Sequence, residues 1–140
     1  MNLDLSPEDH AFREQIRAFM AGKLPPAIKR RVVEGLTVTK RDIQDWQAIR
    51  HAQGYGAPGW PAAHGGRGWS SIRDYIFENE LVSGGAPMSN VFVTKLVGPV
   101  ILAHGTEDQK RQYLPRILTM IGRLFGDADH HLTCFAGTKE

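Results

Sequence analysis

Four groups of residues have types suited to chemistry. His130, His131 and Cys134 form a His-His-x-x-Cys group, and imidazole and thiolate are the usual ligands of zinc. Three candidate ligands in a polar tail, with no second cluster, make a poor closed site, so no metal is expected. Glu78 and Glu80 are the acids nearest an apolar helix. A general base needs a poised pKa and a positioned substrate proton, and a solvated or ion-paired helix face explains both acids more simply. No catalytic residue is assigned. Gly65, Gly66 and Gly68 do not follow a strand and do not spell G-x-G-x-x-G, so they are not a dinucleotide fingerprint. The run Lys29-Arg30-Arg31 would suit an anion, but a solvated loop over 25–38 is the preferred reading. His64 and His104, each near glycine, read as structural.

Composition bounds what must position these residues. The chain has 140 residues, 41% hydrophobic and 23% charged, which is one ordinary globular domain. A net charge of +2 argues against a nucleic-acid binder, which concentrates basic charge on one face. A single cysteine, Cys134, permits no intrachain disulfide. No apolar run approaches the ~20 residues of a membrane helix, and the acidic start lacks the order of a signal peptide. The expectation is a cytoplasmic protein with no membrane and no nucleic-acid partner.

The elements read as helices with clear start signals. Ser6-Pro7-Glu8-Asp9 opens the first, with Phe12, Ile16, Phe19 and Met20 on one face to about Lys23. Leu24-Pro25-Pro26 stops it. Thr39 with Asp42 makes a capping box for a second helix that carries Ile43, Trp46 and Ile49 and ends near Gly54. Arg50, four after Trp46, falls where the stripe would better tolerate Leu and is a candidate local fault. Residues 54–69 form a long Gly/Pro/Trp loop with a packing task. Ser70 or Ser71 caps a third helix through Ile72, Tyr75, Ile76, Leu81 and Val82. A fourth, over about 88–104, is apolar nearly all round and is expected to be central. A Thr106-to-Gln109 box opens a fifth, bent or restarted at Pro115. The fold class is all-α, a bundle of five to six helices.

In order and spacing these segments resemble the N-terminal helical domain of the acyl-CoA dehydrogenase family. Three blocks carry the likeness: Leu5-Ser6-Pro7-Glu8 through Phe12 and Arg17-Ala18-Phe19; Trp46, Gly54, Trp60-Pro61, Gly65-Gly66 and Gly68 to Phe77-Glu78-Asn79-Glu80; and Gly98-Pro99 through His104-Gly105-Thr106-Glu107 to Tyr113-Leu114-Pro115-Arg116-Ile117. The likeness covers residues 1–119. It implies a family reaction in which a carboxylate base and FAD oxidise an acyl-CoA thioester across Cα–Cβ. The wording around Trp60-Pro61 and Tyr75-Ile76-Phe77 looks like the branch acting on steroid side-chain, cyclic or aromatic acyl groups.

In such enzymes the helical domain walls part of the acyl pocket. Position on the fourth helix makes Val91 and Lys95 the candidates, against the simpler readings of a core valine and a solvated lysine. After Thr119 the likeness stops abruptly, and the family's Glu-Pro-x-x-Gly-Ser-Asp type motif does not follow. This looks like a truncation or frameshift, with residues 120–140 a disordered or out-of-frame tail. The expectation is a fragment that alone neither binds FAD nor turns over acyl-CoA, with apolar surface bared on the fourth helix and in the Trp60–Trp69 loop. The alternative is a stand-alone helical module that docks on a full-length paralogue or a complementary subunit.

Overall fold

The structure is a computed structural model that describes residues 5–88 and 92–119. The tail from 120 onward, with His130, His131 and Cys134, and the candidate Val91 lie outside the described residues. Six α-helices run in order: α1 (Pro7–Lys23), α2 (Pro26–Val33), α3 (Lys40–Ala52), α4 (Ser71–Ser83), α5 (Gly98–His104) and α6 (Glu107–Thr119). A π-helical turn, Phe92–Val97, leads into α5. No strand occurs among the described residues, so the all-α expectation holds.

The start signals act as read. The Ser6 hydroxyl accepts from the Asp9 amide at 3.1 Å and begins α1. Thr39 and Asp42 bond reciprocally to each other's backbone N–H at the head of α3. The backbone and hydroxyl of Thr39 hold the Asp42 carboxyl below its ordinary range, with Arg31 adding to the effect. α1 lays Phe12, Ile16 and Met20 on α4, where Ile76, Phe77 and Leu81 meet them. Each such side chain contributes roughly 1.5–3 kcal/mol on burial. Tyr55 stands among Phe19, Trp69 and Phe77 with ring centroids 4.9–5.5 Å apart.

Two expectations are corrected here. Residues 25–38 are not all loop: Pro26 fixes the first helical φ of α2, and Ile28 anchors it in the core. Arg30 and Arg31 are ion-paired with Glu34 and Asp42. The apolar stretch over 88–104 is not one central helix. The π turn and the short α5 bury only one side, through Val93, Thr94 and Gly98, and leave Leu96 56% and Val100 60% exposed. α6, by contrast, continues through Pro115 to Thr119.

A second core joins α6 to the π turn around Trp60, Val93, Leu114 and Ile117. Trp60 is nearly sealed, and its Nε1–H donates to the Thr94 carbonyl at 3.0 Å. Pro99 stands five residues after Thr94 and has no N–H to offer in the π pattern. Two glycines make room for this residue, Gly98 for its ring and Gly66 for its backbone. A Cβ on Gly98 would lie 2.1 Å from Trp60 Cζ2, and one on Gly66 would lie 1.9 Å from the Trp60 carbonyl oxygen. The loop is therefore not bare apolar surface. Trp60 is buried, and Trp69 packs edge-on to Phe12 at 4.8 Å.

Gln47 ties the two cores together. Its side chain has no exposed surface, and Nε2 donates to the carbonyls of Leu118 at 2.9 Å and Gly56 at 3.3 Å. The Leu118 oxygen is one of the orphan carbonyls at the end of α6.

Gly98→Ala is expected to cost about 2 kcal/mol or more, because Trp60 has nowhere to move. Gly22→Ala, with nothing within 4 Å of its new methyl, is expected to gain about 0.5 kcal/mol. Urea midpoints compare the two, and equal midpoints would remove Trp60 as a packing constraint. The Asp42 carboxyl is depressed in the folded state, so its contribution is present above the unfolded pKa and fades as pH falls through the folded one. The penalty of Asp42→Asn should accordingly shrink below about pH 4 in the same assay.

Candidate functional site

Residues from five places, Pro99 of α5 among them, meet at a cavity of about 160 Å³. α3 contributes Arg50, and the loop contributes the stretch from Gly56 to Trp60. Asp74 and Glu78, four apart on α4, share one face and both line it. The π turn adds Thr94 and Lys95.

Arg50 is the deepest of these, 2% exposed. Its Nη1 donates to Gln47 Oε1 at 3.4 Å, and its guanidinium lies 5.2 Å from the Phe77 ring centroid. Burial pushes its pKa below the ordinary arginine value, and the charges of Glu78 and Asp74 act against that. Arg50 is therefore not a fault in an apolar stripe. It is a buried cation placed between an amide, an aromatic face and two acids. The sequence pattern misread it because a helix face records which residues point inward and not what waits there.

Lys95 Nζ pairs with Asp74 and lies 3.6 Å from Glu78 Oε1. Its side chain is 37% exposed, at the mouth of the cavity. This lysine is neither a plain solvated residue nor isolated from the cavity. Asp74 Oδ1 is buried with no hydrogen-bond partner, so this acid is partly stripped of water. Glu80 lies elsewhere. It is nearly buried between Arg17 Nε at 2.9 Å and Arg13 Nε at 3.4 Å, an ion pair holding α4 to α1. Of the two acids considered from sequence, only Glu78 reaches the cavity.

Asp74 and Gln47 were not singled out by sequence reasoning. Asp74 carried one available signal, its spacing of four from Glu78. Gln47 carried one too, since it stands beside Trp46 and three before Arg50 on the inward side of α3. The described residues form no three-ligand metal cluster of His, Cys, Asp or Glu. No helix among them is long and apolar enough to cross a membrane. The cavity is about half the ~300 Å³ at the lower end of small-molecule pockets. It does not fit a flavin dinucleotide.

A model of the acyl-CoA dehydrogenase N-terminal domain matches residues 6–120. The acyl-CoA dehydrogenase FadE26 of Mycobacterium tuberculosis is 31% identical over 119 residues, covering 84% of this chain and 30% of its own. The acyl-CoA dehydrogenase IpdE1 of the same organism is 35% identical over 113 residues, covering 76% and 29%. This chain thus spans about 30% of the length of the curated relatives it matches. Among solved structures, the ChsE4–ChsE5 complex from Mycobacterium tuberculosis superposes with a TM-score of 0.70 at 30% identity, over 85% of this chain and 29% of that one. The Tcur3481–Tcur3483 steroid ACAD gives 0.72 at 32%, over 85% and 30%.

Arg50→Leu is expected to destabilise the chain by about 3 kcal/mol, because Asp74 and Glu78 lose the buried cation between them. A urea midpoint equal to or above that of the wild type would show that the cluster contributes nothing to the fold.

Proposed function

The chain belongs to the acyl-CoA dehydrogenase family, as its N-terminal helical domain, and from that premise we propose that it serves as one wall of the acyl-group pocket and is inactive alone. The observation that supports the reading is the placement of Lys95 and the π turn at the mouth of the cavity, on the element expected to wall the acyl group. The family's FAD would be held by the part of the enzyme this chain does not match, since its own cavity is too small. No residue here is assigned to proton or hydride transfer.

The relatives suggest the finer points. One solved relative is described as a steroid ACAD and another as a complex of two different chains. The proposed substrate class is therefore a CoA thioester of a steroid-type or other cyclic acid. The proposed partner is a complementary dehydrogenase subunit. Leu96 and Val100, exposed one turn apart, supply apolar surface for such an assembly.

Two outcomes test this. The purified chain should carry no stoichiometric flavin after gel filtration and should give no dye reduction with acyl-CoA thioesters. Co-expression with a relative lacking its own segment equivalent to residues 6–120 should restore flavin retention and thioester-dependent dye reduction. A yellow, active chain by itself would overturn the proposal, and failure of every complementation pair would remove the wall role.

A further inference from the structure

The cavity has the size of one six-membered ring. An engineered cavity of about 150 Å³ lined by Leu, Ile and Phe binds benzene, and this one is about 160 Å³. Its lining is different in kind. Trp60, Ala57 and Pro99 offer carbon, but Arg50, Asp74, Glu78 and Lys95 bring two cations and two carboxylates to the same small space. A plain alkyl group placed there would take water from charged groups and return no hydrogen bond, which is costly.

We propose that the cavity is a subsite for a hydroxylated alicyclic ring of the acyl group, and that Lys95 with its two carboxylates recognises the hydroxyl. This rests on the cavity being part of the acyl wall. A hydroxyl fits because it both donates and accepts, and the mouth offers both roles within one side-chain cluster. Lys95 donates, while Asp74 and Glu78, 23% and 35% exposed along their side chains, accept. Bonds to ionised partners are about twice as strong as neutral ones, so one hydroxyl suffices for selection. The ring carbons lie against Trp60, whose position is fixed by its bond to Thr94 and by Gly66 and Gly98. The subsite therefore stands on a rigid wall, with Arg50 deep in it and the Lys95 cluster at its mouth.

The test uses the full chain and two neutral probes of equal size, the N-methylamides of 4-hydroxycyclohexanecarboxylic and 4-methylcyclohexanecarboxylic acid. Binding is read from the NMR shifts of Trp60 Nε1–H and the Gly59 amide. The hydroxylated probe should bind about tenfold more tightly, a fraction of the discrimination a fully buried hydroxyl site reaches. In Lys95→Met, which keeps the bulk and removes the charge, ring binding should persist while the preference falls to about twofold or less. Equal binding of both probes, or a preference for the methyl probe, would overturn the polar subsite and leave the acyl wall standing. Binding of neither at millimolar concentration would remove the wall reading, and this inference with it. An undiminished preference in Lys95→Met would take the recognition away from the Lys95 cluster.

Discussion

Trp60 is the constraint on which the second half of the structure depends. An indole is large, flat and carries one donor, so a nearly sealed tryptophan needs a slot and is stabilised by an acceptor. Here Gly98, at the head of α5, opens the slot for the ring, and Gly66 lets the loop pass close to the Trp60 backbone. The acceptor is the carbonyl of Thr94. One side chain thus fixes the path of the loop, the start of α5 and the place of the π turn between them. Lys95 follows from that placement, since it comes next after Thr94 and is carried to Asp74 and Glu78. The motif residues Trp60 and Gly66 of the loop and the distant Gly98 are in this sense a single packing unit.

The polar interior links that unit to the α1–α4 core. Gln47 bonds to the loop, to the end of α6 and to Arg50, and Arg50 lies over Phe77 of the first core. Burying a polar side chain costs less when it is hydrogen-bonded, and the two carbonyl bonds of Gln47 each join α3 to another element. The arrangement places the charge cluster on a shared seam between the two cores. A ligand or partner that touches the cluster therefore touches a part of the molecule both halves hold in place.

Much of the helical framework was legible in the sequence because its signals are local. Ser6, Thr39, Ser70 and Thr106 each cap within four residues, and each begins a helix where read. The stripe of Phe12, Ile16 and Met20 is a matter of period alone. The α2 helix was missed because Pro25-Pro26 signals an end and a beginning at once, and eight residues give little period to read. The apolar stretch of 88–104 misled for a related reason. Composition reports how apolar a segment is, but Leu96 and Val100 face outward here, as they would in a domain that adjoins further protein.

By itself the sequence determined the four capped helix starts, the all-α class and, through the spacing of its three blocks, the family. These depend on contacts a few residues long or on order along the chain. The tertiary structure alone decided that Arg50 has partners, that Glu80 holds α1 while Glu78 reaches the cavity, and that Trp60 needs both Gly66 and Gly98. Those depend on which residues, 20 or 40 places apart, are brought within a few ångströms. The energy of a buried charge or a sealed ring is set by those neighbours and not by the helix that carries it.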